Sequence, residues 1–375
     1  MKKGKFILSS VLAMFVALHV MGQGVTLPRA SASSELKQTV GITDVIVNYS
    51  RPSVIGPQGN DRTGAIWGQV VPYGYNNLGF GTSTAAPWRA GANENTVIEF
   101  TTDVKVEGKD LAAGKYGLHM ALEESGKVTA IFSKNISSWG SFFYDQAEDA
   151  LRVDVQSVEI PQTNLLTFNF IEVSNNGATL TLDWEKKRIP FKIEVNTPEV
   201  VYASLKDELR TTPGFNHTNW NAAANYLLTN NIHLEDALTW ADASINAPFI
   251  GQKNFNNLQV KARALAALGK SEEATKAMDA ALADPAASIN NYYNYGRFLI
   301  GQDRKTEALD IFTKASKKWP EHWLAPHGLA RGYSANGEIK KALKYEKEAH
   351  QKAPDGSKTV LAGYIKTLES GKDFN

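Results

Sequence analysis

The chain has 375 residues, 43% hydrophobic and 21% charged, a balance that folds around cores and excludes a disordered polymer. Its formal net charge of +1 lacks the basic excess of nucleic-acid-binding proteins, so nucleic acid is not expected as a partner. The absence of cysteine excludes disulfides, thiol catalysis and cysteine-type metal sites.

The first segment reads as a secretory signal peptide over residues 1–22. Lys2, Lys3 and Lys5 precede an apolar run from Phe6 to Met21, and Val20 and Gly22 suit cleavage before Gln23. The run falls short of the ~20 residues a membrane span needs. No cysteine follows it, so a lipid anchor is not expected. The expectation is a periplasmic or secreted protein with no membrane span in its mature form.

From Ile42 to Val195 apolar residues alternate with the period of strands. Val45, Val47 and Tyr49 share one face. Tyr116, Leu118, Met120 and Leu122 share another, with Gly117, His119 and Ala121 opposite. Thr167–Val173 and Ala178–Trp184 flank Asn175-Asn176-Gly177, a hairpin whose turn calls for positive φ. A second hairpin is expected near Lys186-Lys187, continuing through Ile189, Phe191, Ile193 and Val195. Short strands without interleaved helical patterns predict an antiparallel all-β sandwich or barrel over residues 25–195.

The period then changes. Thr197-Pro198 starts a helix expected to reach about Arg210, making residues 196–215 a helical linker. Beyond it the chain repeats over residues 216–354. Ala308, Phe312, Ala315 and Pro320 recur 34 residues later as Ala342, Ala349 and Pro354, and 34 earlier as Ala274, Met278 and Ala281. Ala237, Ala241 and Ser244 form a fourth unit 37 residues before that. Leu228, Leu265, Leu299 and Tyr333 each stand nine residues before a reference alanine. A helix-turn-helix repeat of this length, with small residues at the crossings, resembles tetratricopeptide arrays. Residues 355–375 then form a capping helix and tail. The fold class expected is multidomain: the all-β unit followed by an all-α solenoid of about four repeats.

Six segments of the β half carry a more specific resemblance. They are Pro28–Ser31, Val45–Pro52 (VIVNYSRP), Ile66–Gly68, Val71–Gly74, Trp88–Thr96 (WRAGANENT) and Ala113–Leu118 (AGKYGL). Together they resemble the exported bacterial family catalogued as domain of unknown function 2911, some members of which carry C-terminal helical repeats. The resemblance implies no activity. Tyr75–Pro87 departs from the family's common form as an insertion, a candidate lid.

Within those segments Trp88, Arg89, Asn93 and Glu94 form a candidate pocket, with Arg51, Trp67 and Tyr73 nearby in the pattern and His119 a candidate to join them as acid, base or metal ligand. Aromatics beside Arg and Asn can stack on a ring and bind a carboxylate. The competing reading has Trp88 and Tyr73 plugging the sandwich end while Arg89 and Asn93 satisfy loop backbone groups. No motif couples a nucleophile to a base. The scattered histidines include no His-Glu-x-x-His, and no metal or other cofactor is expected. Trp139, Phe142, Phe143 and Tyr144 are either a core seal or a platform for a carbohydrate or partner.

The repeats hold a further pattern. Residues 211–375 contain four arginines, and Arg263, Arg297 and Arg331 are spaced by 34 and 34. Four residues before each stand Gln259, Tyr293 and His327, and three before those stand Asn256, Asn290 and Leu324. These offsets put each set on one helical face. Resemblance to tetratricopeptide arrays implies that this face lines a concave groove, suited to a protein or peptide partner of acidic character. Alternatively each arginine pairs with acids of neighbouring helices, such as Glu272, Glu273, Glu307 or Asp310.

The function expected is an exported, non-enzymatic binding or scaffold protein whose helical groove holds the partner. The rival is a small-ligand- or carbohydrate-binding β domain, hydrolytic in one version, with the repeats as recruitment module.

Overall fold

The structure, a computed structural model, describes residues 27–375. The expected signal peptide lies outside the described residues. The chain divides into two compact units between Thr197 and Pro198.

The first unit contains β1 (Ala32–Val40), β2 (Thr43–Arg51), β3 (Thr96–Phe100), β4 (Val104–Val106), β5 (Lys109–Leu111), β6 (Gly114–Leu122), β7 (Lys127–Ser133), β8 (Asp149–Gln156), β9 (Val158–Ser174) and β10 (Gly177–Glu194). They form two antiparallel sheets, in the orders β1-β2-β3-β6-β7-β8 and β5-β4-β10-β9. Alternation explains the layers, because successive side chains of a strand face opposite ways. Val45 and Val47 of β2 and Ile98 and Phe100 of β3 are buried. Tyr49 meets Phe168 of β9 edge-on at 4.8 Å, and Phe132 of β7 meets Phe191 of β10 at 5.9 Å, so the inner faces of the two sheets share a core.

Two local expectations are corrected. There is no hairpin at Lys186-Lys187: β10 runs through it to Glu194, with register slips between Asp183 and Glu185 and between Glu185 and Lys187. Glu185 absorbs the first bulge at φ 52°, and its carboxylate accepts from the Gly64 and Lys186 amides. The hairpin at Asn175-Asn176 forms, yet the left-handed residue is Glu172, at φ 54°, rather than a turn residue. A bulge beside the turn supplies the twist that the turn itself would otherwise need.

Strand β6 departs from one-sided burial. Every residue from Tyr116 to Leu122 is buried, so His119 does not face an open side. Its sheet edge passes from β3 to two loop segments. The Trp88 amide donates to Met120 O at 2.9 Å, the Trp88 carbonyl accepts from the Met120 amide at 2.7 Å, and the Gly74 amide donates to Leu122 O at 2.7 Å. The Val71–Gly74 and Trp88–Thr96 motifs are therefore held at the end of the sheet by backbone pairing.

The second unit is an array of antiparallel helices: α1 (Thr197–Glu208), α2 (His217–Asn230), α3 (Leu234–Asn246), α4 (Phe255–Ala267), α5 (Ser271–Leu282), α6 (Ile289–Gly301), α7 (Lys305–Lys318), α8 (Leu324–Ala335), α9 (Ile339–Lys352) and α10 (Asp355–Glu369). Tyr202 and Leu205 of α1 pack on the α2–α3 core, so this helix is part of the array rather than a free linker. The reference alanines Ala237, Ala274, Ala308 and Ala342 fall on α3, α5, α7 and α9, and all are buried. None of the described helices is long and apolar enough to cross a membrane.

Glycine assists alanine at the crossing of α6, α7 and α8. The Phe312 ring, 1% exposed, lies against Gly296 and Gly328. A Cβ on Gly328 would stand 2.6 Å from Cδ1 of that ring. Gly→Ala inside a helix normally gains about 1 kcal/mol. Here overpacking, at roughly 1–3 kcal/mol, outweighs it. Gly328→Ala is expected to destabilise the array in urea unfolding, and to become stabilising in a Phe312→Leu background. Stabilisation by Gly328→Ala in the wild-type chain would show that no such slot exists.

Candidate functional site

Trp88, Arg89 and Asn93 converge. They line a cavity of about 600 Å³ in the first unit, together with Arg62, Ser141 and Trp184. The loop that carries them is strained where it turns, with Ala90 at φ 50° and Asn93 at φ 59°. Ala90 is wholly buried, and its carbonyl accepts from the Thr96 hydroxyl at 3.1 Å. Left-handed alanine persists only where its surroundings fix it. Asn93 contributes by donating to Ser31 O at 3.1 Å and to the Ser50 hydroxyl at 3.2 Å. Trp88 stacks on Trp184 at 6.2 Å, with Trp67 edge-on to both.

Arg89 passes over Gly140, where a Cβ would stand 2.1 Å from its guanidinium carbon, and lies 5.3 Å above the Phe142 ring. Its Nη1 donates to the Asn93 carbonyl. Burial holds its pKa below the ordinary arginine value. Arg62 donates to the carbonyls of Ser53 and Val54. Among the described residues neither guanidinium pairs with a carboxylate, and no Asp or Glu lines the cavity. The Tyr75–Pro87 segment supplies part of the wall through Asn76, Leu78, Ala86 and Pro87.

The other candidates of this pocket lie elsewhere. Arg51 bridges β2 to β9 through Leu166 O at 2.9 Å and the Thr167 hydroxyl. Tyr73 packs on Gly68, where a Cβ would stand 2.9 Å from its ring. Glu94 pairs with Arg29 at 2.6 Å on the exposed surface. His119 is 2% exposed and sits behind the cavity wall, its Nδ1 3.0 Å from the Ser141 hydroxyl. Burial first, and the Arg89 charge second, push its pKa down to about 4. Among the described residues no three His, Asp or Glu side chains gather to hold a metal ion. In the aromatic patch, Trp139 and Phe143 are exposed while Tyr144 donates to Asp149 at 2.8 Å. Arg62, Ser141 and Trp184 were not singled out from sequence. Their recruitment depends on contacts between distant segments, and no local spacing announces it.

The arginine ladder meets three different fates. The Arg263 guanidinium is exposed and donates to Asn225 of α2. Arg331 is buried and donates from Nε to the Tyr293 hydroxyl at 2.8 Å. Each reaches a residue 38 positions upstream, so both brace the first helices of successive repeats. The corresponding partner of Arg297 is Gln259, yet Arg297 is exposed and lies 5.9 Å over the Tyr293 ring instead. A cavity of about 230 Å³ opens at that junction, between α4, α5 and α6, lined in part by Gln259, Arg263, Tyr295 and Phe298. Asn256 and Asn290 are exposed, and neither lines it. The acidic partners considered for the ladder are not used: Arg263 and Arg331 bond neutral groups, and Glu307 pairs with Arg304.

Two ladder residues do not line an open groove. His327 is buried against the fully buried Glu346 of α9, with Nδ1 2.8 Å from one carboxylate oxygen. Arg331 is covered by the segment after α10. Phe374 lies beneath its guanidinium at 5.0 Å, and Asn375 accepts from Arg331 Nη1 at 3.2 Å and donates to Arg331 O at 3.0 Å. Asp373 accepts from the Ser334 hydroxyl, which in turn accepts from the Phe374 amide. The spacing of the ladder showed which face these residues share. It could not show that part of this face is already occupied.

No curated protein matches the sequence significantly. Among solved structures the chain is similar to YrrB, described as a TPR protein with an unusual peptide-binding site: 20% identity, TM-score 0.32, covering 46% of this chain and 84% of that one. A MamA crystal structure gives 17% identity and TM-score 0.32, covering 42% of this chain and 88% of that one. Another gives 16% identity and TM-score 0.30, covering 44% and 94%. Residues 31–193, the span of the β-sheet unit, match the family model described as Protein of unknown function (DUF2911).

Proposed function

We propose that this is an exported, non-enzymatic binding protein, periplasmic or secreted, whose helical array holds an extended segment of a partner protein on its arginine-ladder face. The seat of Asp373–Asn375 carries this reading. There the ladder residue Arg331, with Tyr293, Tyr364 and Ser334, receives an aromatic side chain, a carboxylate and an amide from the irregular stretch of chain after α10. The rungs at Arg263 and Arg297 present the same arginine in the open, Arg263 lining a largely apolar cavity. An acidic, aromatic-containing segment suits them, because arginine pairs with carboxylates and stacks on rings.

The test is the affinity of the full chain for a fluorescent peptide alternating Asp and Phe. Arg297→Glu is expected to weaken binding at least tenfold, by replacing attraction with repulsion. The variant's melting temperature should stay within about 4 °C of wild type, since an exposed cation–ring contact contributes only about 0.5–1 kcal/mol. If Arg297→Glu instead unfolds the array, the ladder is a structural brace and the proposal fails.

A further inference from the structure

The cavity of the first unit is lined by two arginines and no carboxylate. A guanidinium offers five N–H groups. Among the described residues, Arg89 gives one of them to the Asn93 carbonyl and meets no carboxylate. Arg62 stands on the same wall and is bound only to backbone carbonyls. Trp184 also lines the cavity, is 1% exposed, and its buried indole N–H has no acceptor. The Ser141 hydroxyl adds a further polar group, held in place by His119. A half-buried cation left without a counter-charge is costly, and proteins ordinarily pair it. The rest of the wall is mixed: Val71, Leu78, Pro87 and Trp88 give it an apolar part, beside Ser31, Ser53, Asn76 and Asn93. At about 600 Å³ the space lies within the range of small-molecule sites.

We propose that this cavity binds a small carboxylate with an apolar or aromatic body: the carboxylate accepts from Arg89, with Arg62 adding attraction, and the body lies against Trp88 and Leu78. The site goes beyond the function proposed for the helical array and does not depend on it. The Tyr75–Pro87 segment forms the wall that determines which bodies fit.

The experiment titrates the full chain with benzoate, benzamide and inorganic phosphate, followed by tryptophan fluorescence and calorimetry. Benzoate is expected to bind, and benzamide at least tenfold more weakly, because it lacks the charge that strengthens hydrogen bonds to arginine. Phosphate should be weaker than benzoate, having no body for the apolar wall. Arg89→Gln should reduce benzoate affinity at least tenfold and leave benzamide unchanged. Because Arg89 also ties down its own loop, a second variant is included. Ala92→Phe fills the cavity from its half-buried rim and should abolish benzoate binding while leaving circular dichroism unchanged. The proposal is overturned if benzoate fails to bind up to its solubility limit, or if it binds Ala92→Phe as well as wild type. Phosphate or benzamide binding equal to benzoate would overturn it as well. None of these outcomes depends on Arg297, so failure here and failure of the array's reading are distinguishable.

Discussion

Glu346→Ala is expected to lower the stability of the last repeats by about 1–3 kcal/mol, the usual effect of leaving a buried hydrogen-bonding group without its partner. Glu346 is 0% exposed and His327 3%, so no solvent replaces the lost partner. The imidazole is also fixed from its faces. Tyr293, Trp323 and Tyr364 stack on it at 5.4, 5.9 and 5.9 Å, and Phe374 lies at 6.1 Å. It cannot swing out to water without dismantling that cluster. Glu346→Gln keeps an acceptor in place and should cost markedly less. Amide hydrogen exchange over α8 and α9 measures this directly, because local opening reports the stability of each segment. Equal exchange in Glu346→Ala and wild type would mean that the pair contributes nothing.

The second large effect is one of pH. The pKa of His119 falls from 6.5 to about 4 on folding. A histidine depressed in the folded state favours folding fully above its unfolded value, and that contribution is lost as pH falls through the folded value. The window therefore runs from about pH 6.5 down to pH 4. A shift of this size corresponds to about 3 kcal/mol of the first unit's stability. The physical cause is burial between β6 and the loop carrying Ser141 and Tyr144, reinforced by the nearby Arg89 charge. Urea unfolding followed through exchange protection of β6 should show this acid loss. His119→Asn should flatten it while lowering stability at neutral pH. A His119 ring resonance that titrates near pH 6.5 in the folded chain would contradict the burial argument.

Much of the architecture was legible in the sequence because it is written in short-range periods. Alternation at Val45, Val47 and Tyr49 marks a strand, and the recurrence of Ala274, Ala308 and Ala342 at 34 residues marks helix pairs. Where the sequence reading failed locally, the competing interaction can be named. Lys186-Lys187 looked like a turn, but pairing with β9 and two bulges carried β10 straight through it. His119 looked like the open side of β6, but the loop of Ser141 and Tyr144 covers that side.

The candidate site was legible only in part. Trp88, Arg89 and Asn93 are neighbours in sequence and converge on one cavity. Arg51 and Glu94 had the right chemistry, but each is engaged by a partner far along the chain, at Leu166 and Arg29. Arg62 and Trp184 gave no local signal, because what makes them wall residues is the meeting of segments far apart in sequence. The same distinction holds along the ladder. Spacing by 34 residues determines that Arg263, Arg297 and Arg331 recur in phase, because a helix converts offset directly into direction. Whether each is open, bracing or covered is decided by how closely successive repeats approach and by where Phe374 lodges, and these are matters of tertiary packing.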